Sequence, residues 1–439
     1  AVGIWAMRRT KDTQDFFMAG RNLGVIVTGV AIFSSTMSGF GFVGGPGLIY
    51  RMGMSSFWML VTTPIGFSLG YYLLAKRVRL MGELRQCISL PDIAEVRFRS
   101  AHVRMLVSLA ILAGVVPYLA TQIKAMAIVL KQILISNGAP EHESLLLGCI
   151  ALSSAVLVFY CVTGGIIASV YTDLFQGIVM VIVAVLVFVT ALGTVAGGMT
   201  QMARVIAADD PEAAGPWGTA GMIGCLSWFF VFTFGVCAHP HLNTKMMMSR
   251  LVEDARHSLP ISIVGFSTTA LLWVSVGLVM RTLVLSGQHP SLASADDAAF
   301  AFLNTYANSA LAGLAFAGLF AAIMSTADGF LNIGAAAIVH DLPKAMTGKA
   351  LSRELLWARI ATVALAVFAA ACAVVSPDLI GLLGAYGWGV FSAALAPVIG
   401  LGLNWKRATA SAAIASISVS LLINGVAFAL QLNGWRLPY

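Results

Sequence analysis

Two acidic residues lie deep inside long apolar stretches of the chain: Asp173 in YTDLFQG and Asp328 in MSTADGF. Ser325 and Thr326 stand within one helical turn before the second acid. Carboxylates, hydroxyls and exposed backbone carbonyls are hard oxygen ligands, which suit an alkali cation or a proton rather than zinc or copper. Because a charge at the centre of a lipid bilayer costs about 2.5–3.5 kcal/mol, each acid is expected to face a partner or a cavity. The alternatives are structural: each acid bonds a backbone group or a hydroxyl, and the Ser-Thr pair bonds its own turn.

One basic residue, Lys124, also lies within an apolar stretch, two residues after Gln122 and one to two helical turns after Tyr118. Its long side chain can reach toward the membrane surface, pair with an acid, or face an anionic solute. His239 and His241 are separated by a single residue, so they do not share a helical face. A metal site at these two histidines is therefore not expected.

Signals for catalysis or for a transition metal are weak elsewhere. We expect His340 and Asp341, at a helix end, to cap the helix or to lie on the surface. No HExxH, GxSxG, P-loop or CxxCH motif occurs, so the sequence does not indicate an enzyme. The cysteines lack paired metal-ligand spacing, which favours buried thiols. They are Cys87, Cys149, Cys161, Cys225, Cys237 and Cys372.

The composition restricts the elements that can position these residues. Of 439 residues, 59% are hydrophobic and 10% are charged, whereas soluble domains carry about 25% charged residues. Too little charge exists to cover a soluble particle, which excludes soluble enzymes, disordered chains and coiled coils. The apolar stretches are also longer than the roughly 10-residue alternating strands of a membrane β-barrel. The chain is therefore expected to be an all-α polytopic protein of the lipid bilayer.

A spanning helix needs about 20 predominantly apolar residues, and eleven stretches satisfy this requirement. Residues 1–7 end abruptly at Arg8 and Arg9, and we expect them to be the tail of a truncated N-terminal helix followed by a loop to residue 21. No cleavable signal peptide is visible. The predicted spans lie near residues 22–50, 55–80, 103–137, 144–164, 167–197, 222–247, 257–285, 307–341, 353–375, 379–403 and 407–433.

The basic residues are distributed asymmetrically between the two sides of these spans. Loops on one side contain 20 of the 26 Lys and Arg residues, with Arg104 and Lys245 counted among them. The opposite loops, 198–221 and 286–306, have Arg204 as their one basic residue. The positive-inside rule places the basic loops in the cytoplasm and the N-terminus outside, in the plasma (inner) membrane. The net charge of +7 is thus explained without nucleic acid.

Two spans are interrupted by glycine and proline, at SSTMSGFGFVGGPG (34–47) and FGVCAHPH (234–241). Such residues weaken or break a helix, and the two interruptions are five spans apart. Five is an odd number, so the second set of five crosses the membrane in the opposite sense. The pattern predicts inverted repeats at 22–197 and 222–403, joined by an extracellular loop at 198–221 and followed by an extra helix at 407–433. Repeats with a discontinuous first helix are typical of transporters.

Four segments resemble the sodium:solute symporter family, and together they extend over essentially the whole chain. They are FFMAGRNLG with SSTMSGFGFVGGPGLIYRMG (16–53), VTGGIIASVYTDLFQG (162–177), AGLFAAIMSTADGFLNIGAAAIVHDL (317–342) and AYGWGVFSAALAPVIGL (385–401). The resemblance implies a LeuT-type fold of five plus five inverted helices, in which the first and sixth core helices are discontinuous. It further implies that the chain is a transporter and not an enzyme.

The resemblance also implies a sodium site between the first and eighth core helices. Carbonyls of Ser34 and Met37 would meet the carbonyl of Ala322 and the hydroxyls of Ser325 and Thr326. Each of these positions has a residue type that the site requires.

Two departures from relatives bear on the coupling ion. Proline carriers of the family have an aspartate where this chain has Thr36. Some relatives bind a second sodium through an acid that Asp173 matches, but their later hydroxyls correspond to Asp328 and Gly329. Asp173 and Asp328 are therefore assigned either to a second ion or to the route by which an ion leaves.

The implied solute site lies among the first, third, sixth and tenth core helices. The aromatic pair of the proline carriers' sixth helix falls on Phe232 and Val236, so one aromatic is kept. Few hydrogen-bonding groups on the first helix disfavour a sugar, and a small carboxylate or amino acid fits better. The candidate solute residues are Ser38, Phe40, Tyr118, Gln122, Phe232, Val236, Tyr386 and Trp388.

Together these features predict sodium-driven symport of a small organic solute by alternating access. Three alternatives remain open from the sequence. A sensor would keep the fold for ligand binding without transport, and would need a signalling domain. A proton could replace sodium through Asp173 and Asp328. A membrane enzyme is the least supported alternative, because no catalytic group of residues is present.

Overall fold

The computed structural model describes residues 17–349, 351–375 and 380–432. The predicted helix tail at residues 1–7 lies outside this part of the chain. Among the described residues, the first half of the chain contains seven α-helices and the second half twelve. Those of the first half are α1 (Val25–Thr36), α2 (Gly45–Met52), α3 (Phe57–Gly70), α4 (Lys76–Leu84), α5 (Leu90–Phe98), α6 (Ala101–Ser136) and α7 (Glu143–Thr194).

The α-helices of the second half are α8 (Gly198–Asp209), α9 (Pro211–Ala214), α10 (Gly221–Cys237), α11 (Pro240–Met247), α12 (Val252–His257), α13 (Leu259–Leu285), α14 (Ala298–Tyr306), α15 (Ser309–Ala336), α16 (Leu342–Thr347), α17 (Glu354–Val375), α18 (Ile380–Val390) and α19 (Ala410–Leu432). Stretches of π-helix, at Phe40–Gly44, Tyr71–Ala75, Ala337–Asp341 and Phe391–Leu401, continue several of them.

Within the described ranges, nine helical stretches are long and apolar enough to cross a membrane. Two shorter apolar helices accompany them, Val25–Thr36 and Ser144–Phe159. Each of the eleven predicted spans overlaps one of these segments, but the spans 144–164 and 167–197 are not separated by a break, since both lie in the continuous helix α7. The chain is a multi-pass membrane protein, and the extra C-terminal helix expected after residue 403 is α19.

The first interrupted span has its break between α1 and the π-helix Phe40–Gly44. Met37 follows α1 in an extended conformation, with φ −81° and ψ 97°. Glycine allows the chain to pass close to its neighbours beyond the break, since a Cβ on Gly45 would lie 2.6 Å from the Trp273 ring. The predicted discontinuity of the first core helix is confirmed.

The second interrupted span has its break between α10 and α11, where His239 has φ −58° and ψ 122°. Pro240 then begins α11, as expected for a residue that lacks an amide hydrogen. The side chain of Asn243 donates to the carbonyls of Cys237 at 3.0 Å and His239 at 2.9 Å. This side chain satisfies the carbonyl of Cys237, which the break has released from the helical hydrogen-bond pattern, whereas the carbonyl of His239 also accepts the backbone amide of Asn243 at 3.1 Å.

Helix α15 lies inside the bundle, where it packs against α6, α7 and α17, with α1 beside it. One end of the bundle carries α4, α5, α12 and α16 and most of the arginines and lysines, and we call it the basic end. The other end, called the acidic end, carries α8, α9 and the loop 286–308. This arrangement sets the two helix breaks between α6, α15 and α18, about halfway along the bundle.

At the acidic end, the loop 286–308 folds onto α2 and α18. The amide of Ile380 donates to Oδ2 of Asp296 at 3.1 Å. A Cβ on Gly47 would lie 2.7 Å from the carbonyl oxygen of Ala295, so only glycine permits this approach of α2 to the loop. The loop therefore closes the acidic end above the first helix break.

At the basic end, two expectations from the sequence are wrong. Arg104 is not a loop charge, since its side chain is fully buried and pairs with Asp92, Glu95 and Asp341. His340 is not a surface or capping residue, because it bridges Asp92 and Glu354. The ends of several helices meet here, and two of them supply the acids around the guanidinium: α5 carries Asp92 and Glu95, and the π-helix that continues α15 ends at Asp341.

The same group of charges affects Asp92 itself. Burial opposes ionisation of this carboxyl, but the hydrogen bond and charge of His340, together with Arg104, hold its pKa below the ordinary value. Asp92 therefore stays ionised in the folded chain and fixes α5 against the basic ends of α6 and α15.

Candidate functional site

The break in α1 is bonded directly to two hydroxyls of α15. Ser325 Oγ donates to the carbonyl of Ser34 at 3.1 Å, and Thr326 Oγ1 donates to the carbonyl of Ser35 at 3.0 Å. Both hydroxyls also lie within hydrogen-bond distance of the carbonyl of Ala322, at 3.0 and 3.2 Å. All five residues are buried, so this group of oxygens is shielded from lipid and from bulk water.

Met37 lies one helical turn beyond Ser34, as the first residue after α1. Its amide donates to Phe33 at 2.9 Å and makes the last hydrogen bond of the helix. The sequence-predicted sodium residues Ser34, Ala322, Ser325 and Thr326 thus come together in space, and Met37 follows them where the helix opens. The chemistry of this group, with carbonyls and hydroxyls and no sulfur or imidazole, suits an alkali cation.

A buried ion pair lies beside this group of oxygens. Lys245 Nζ lies 2.6 Å from Oδ2 of Asp173, and neither side chain is exposed. The ammonium also donates to the carbonyl of Ala31 at 2.8 Å and to the hydroxyl of Ser35. The expectation that Lys245 is a loop charge at the membrane surface is wrong, because α11 carries it into the bundle against α1 and α7.

The second buried acid, Asp328, has different neighbours. Its Oδ1 accepts a hydrogen bond from Ser169 at 2.9 Å, whereas Oδ2 has no partner among the residues that the structure describes. The next residue, Gly329, lies against His241, since a Cβ there would be 2.0 Å from the ring Nε2. Asp328 is thus separate from the Lys245–Asp173 pair, although both acids lie close to the oxygen group.

A second group of predicted residues surrounds the chain just after the α1 break. The hydroxyls of Ser38 and Tyr118 are 2.8 Å apart, and the amide of Gly39 donates to Oε1 of Gln122 at 2.8 Å. Gln122 Nε2 is buried and has no partner within the described part of the chain. The break in α1 is therefore held by α6, and a donor group remains for a further ligand.

Aromatic rings enclose this place. Phe40 stacks on Phe232 with 5.9 Å between ring centroids, and Phe232 lies 5.6 Å from Trp388. Trp388 also contacts Tyr118 at 6.2 Å and His239 at 4.7 Å. These five rings come from α6, α10, α18 and the residues around both helix breaks, and we call them the aromatic group.

Two of the predicted solute residues point elsewhere. The side chain of Val236 lies against α3, where a Cβ on Gly66 would be only 2.7 Å from it. The hydroxyl of Tyr386 donates to the carbonyl of Asn424 in α19 at 3.1 Å, and its ring contacts Phe428. Both residues therefore support the packing of neighbouring helices and do not join the aromatic group.

Sequence reasoning did not assign two residues to this site: His239, a member of the aromatic group, and Phe330, which lies beside it. His239 lies at the α10–α11 break, with Nδ1 buried and without a partner among the described residues. Phe330 lies 4.8 Å from Tyr118 and 5.2 Å from His239, between ring centroids. The position of His239 beside Pro240 was a usable signal, since a break exposes side chains that a continuous helix would turn away.

Comparisons with known proteins agree with this geometry. A profile described as the sodium:solute symporter family matches residues 16–419. The sodium/proline symporter of Escherichia coli (strain K12) is 28% identical over 434 residues, covering 96% of this chain and 84% of that protein. The osmoregulated proline transporter of Bacillus subtilis (strain 168) is 27% identical over 426 residues, covering 95% and 84%.

Solved structures agree on the fold. The substrate-bound, outward-open structure of a sodium-coupled sialic acid symporter matches with a TM-score of 0.75 at 18% identity, covering 97% of this chain and 93% of that one. A nucleobase-cation-symport-1 family transporter in a closed conformation matches with a TM-score of 0.59 at 12% identity, covering 96% of both chains. The predicted LeuT-type arrangement is confirmed by these matches.

Proposed function

The chain belongs to the sodium:solute symporter family and is a sodium-coupled symporter of a small organic solute, and we propose that this solute is a small amino acid such as L-proline. The observation that carries sodium coupling is the junction of α1 and α15, where Ser325 and Thr326 bond the carbonyls released by the helix break. The observation that carries the solute is the aromatic group beside Ser38 and Gln122. Relatives named as proline transporters align with 95–96% of this chain, and the aligned part covers 84% of their own length.

For the coupling ion, we propose that Ser34, Met37 and Ala322 supply carbonyls and that Ser325 and Thr326 supply hydroxyl oxygens. A sodium ion at this junction would bind both helices at once. The ion would replace the hydrogen bonds that now join them, with the hydroxyl hydrogens turned away. Sodium binding would then set the distance between α1 and α15 and, through α1, the shape of the aromatic group.

For the solute, we propose a site bounded by the aromatic group and by Ser38 and Gln122. Flat rings suit the apolar part of an amino acid, while the hydroxyl pair of Ser38 and Tyr118 and the free Nε2 of Gln122 suit a carboxylate. The helix breaks add main-chain N–H groups that favour an anionic group. Sodium raises solute affinity at such a site, and by linkage the solute raises sodium affinity equally.

For transport, we propose that residues 22–197 and 222–403 act as two inverted repeats that rock around these sites. We place the basic end in the cytoplasm and the protein in the plasma membrane, according to the positive-inside rule. Inward movement of one sodium ion across a potential of 100 mV supplies about 2.3 kcal/mol, which drives uptake of the solute.

The test is uptake of radiolabelled L-proline by the purified chain in liposomes. An inward sodium gradient is expected to accelerate uptake, while a potassium gradient of equal size has no effect. Competition by other amino acids, short monocarboxylates and pantothenate then ranks the solutes. Equal uptake in sodium-free buffer with a proton gradient would contradict sodium coupling, and competition by monocarboxylates alone would contradict the amino acid.

A further inference from the structure

The ammonium of Lys245 is enclosed by oxygen atoms. Nζ donates to the carbonyl of Ala31 at 2.8 Å, to the hydroxyl of Ser35, and to Oδ2 of Asp173 at 2.6 Å. An ammonium group has three N–H donors, so these three oxygens satisfy it completely. Lys245 and Asp173 are both 0% exposed, so the ion pair is shielded from bulk solvent.

The three oxygens form the kind of set that holds an alkali cation. They are one carbonyl, one hydroxyl and one carboxylate, all hard ligands. Two come from α1 and the third comes from α7, whereas Lys245 enters from α11. The oxygen set is therefore built by two helices, and a third helix delivers the positive charge into it.

This second position adjoins the proposed sodium site through Ser35, which bonds a ligand of that site but is not one of its proposed ligands. The carbonyl of Ser35 accepts the hydrogen bond from Thr326 at 3.0 Å, while the hydroxyl of Ser35 accepts from Lys245. One residue of α1 thus contacts both positions, through two different oxygens. Two cations bound there would be close neighbours, and their repulsion in a buried place would be strong.

We infer that Lys245 is a tethered cation, which fills the position where Asp173 would otherwise hold a second sodium ion, so that this symporter binds one sodium ion per chain. The inference rests on the proposed sodium site at α1 and α15. A lysine attached to the fold needs no binding from solution, and removing it from its buried carboxylate would leave an uncompensated charge. Sodium therefore does not displace the ammonium during the transport cycle.

The other buried acid does not take over this role. Asp328 accepts a hydrogen bond from Ser169. The following position is Gly329, which offers no side-chain ligand and lies against the ring of His241. Among the described residues, Ser169 is the one hydroxyl bonded to Asp328, and the next position adds no side-chain ligand for a second sodium ion.

The experiment is equilibrium binding of radioactive sodium to the purified full chain, in the absence of solute. The wild-type chain is expected to saturate at one sodium ion per chain. Lys245→Met is expected to saturate at two, because the carboxylate of Asp173 becomes available. The double variant Lys245→Met/Asp173→Asn is expected to return to one. Lys349→Met, which removes an exposed lysine at the basic end, is the matched control and is expected to bind one.

Failure of the inference and failure of the proposed function give different results. Two sodium ions bound by the wild type, or one bound by folded Lys245→Met, would overturn the tethered-cation inference alone. No sodium bound by the wild type, or binding unchanged by Ser325→Ala, would overturn the proposed sodium site. Lys245→Met leaves a buried carboxylate unpaired and can fail to fold. In that case the wild-type chain and the uncharged double variant still test the inference. Binding of two sodium ions per chain by either protein would contradict it.

Discussion

The hydroxyl of Ser325 donates a hydrogen bond to the backbone carbonyl of Ser34, 3.1 Å away, where α1 ends. These residues are 291 positions apart in the chain, and they belong to different inverted repeats in the arrangement proposed above. A bond between the two repeats at the point where a helix opens is well placed to respond to an ion. The separation of α1 from α15 is therefore the quantity that sodium is expected to control.

Ser325→Ala is expected to raise the sodium concentration for half-maximal solute uptake by about tenfold or more, since a ligand to a charged group contributes about 1.5–3 kcal/mol. Sodium dependence of L-proline uptake in liposomes measures this effect. Ser275→Ala is the control, because that buried hydroxyl bonds only its own helix, α13. An unchanged sodium dependence in Ser325→Ala would contradict the assignment of this hydroxyl.

Tyr118→Phe is expected to raise the KM for the solute about three- to tenfold, because Ser38 loses its 2.8 Å partner in the proposed solute site. The sodium affinity measured without solute should stay the same. Tyr386→Phe is the matched control, since the hydroxyl of Tyr386 bonds Asn424 outside the aromatic group. If both variants changed the KM equally, the proposed location of the solute would be wrong.

Gly329→Ala is expected to destabilise the protein by about 1–3 kcal/mol through overpacking. The added Cβ would lie 2.0 Å from Nε2 of His241, whose ring is buried and has no room to withdraw. Gly313→Ala in the same helix meets nothing within 4 Å, and should stabilise α15 by about 0.5–1 kcal/mol. Thermal unfolding in detergent compares the two, and equal melting temperatures would contradict the close contact with His241.

Asp296→Asn is expected to alter how stability depends on pH. The pKa of Asp296 is raised from 3.8 to about 6, mainly because the carboxyl is buried. The hydrogen bond from the amide of Ile380 and the charge of Lys124 oppose this rise, whereas the charge of Asp297 adds to it. A carboxyl with a raised pKa binds its proton more tightly in the folded chain. The free energy of unfolding therefore falls by about 2–3 kcal/mol as the pH rises from the unfolded pKa of 3.8 to the folded pKa of about 6. The loss is complete above the folded pKa.

The asparagine variant keeps an acceptor for Ile380 but has no charge, so it should melt higher than the wild type at neutral pH. The difference in melting temperature should disappear near pH 4, which is close to the unperturbed pKa of an aspartate, because the carboxyl is then uncharged like the amide. Melting temperatures over this range, with Asp209→Asn as an exposed control, provide the measurement. A constant difference at every pH would show that Asp296 does not titrate there.

The helix breaks could be predicted from the sequence because glycine and proline act locally. The run 34–47 and the pair Gly235 and Pro240 are sufficient to mark where two apolar helices open. The hydroxyl pair at Ser325 and Thr326 was also recognisable, since hydroxyls next to an acid are unusual in a membrane helix. Its partners on α1 required the resemblance to the family, because they are carbonyls and have no side-chain signal.

The partners of the buried charges could not be predicted, because a pairing depends on how helices meet. Lys245 stands where a cytoplasmic anchor would be expected, and the acid that pairs with it, Asp173, is 72 residues away. Arg104 was misplaced for the same reason. Likewise, Val236 faces α3 because Gly66 allows the two helices to approach closely. The sequence of α10 alone does not predict this contact.

The amide side chain of Asn243 bonds the carbonyls of Cys237 and His239, so the joint between α10 and α11 is completed by a residue of its own segment. The joint in α1 is completed by neighbours instead, through Gln122, Ser325 and Thr326. In the rocking movement proposed above, the α10–α11 joint would move intact with its half of the molecule. The α1 joint would keep its bond to Gln122 but would lose its bonds to Ser325 and Thr326 when the halves separate. Water, sodium or solute would then have to bond the freed groups at the α1 joint. Binding of ion and solute would therefore be coupled to the movement of the halves at this joint.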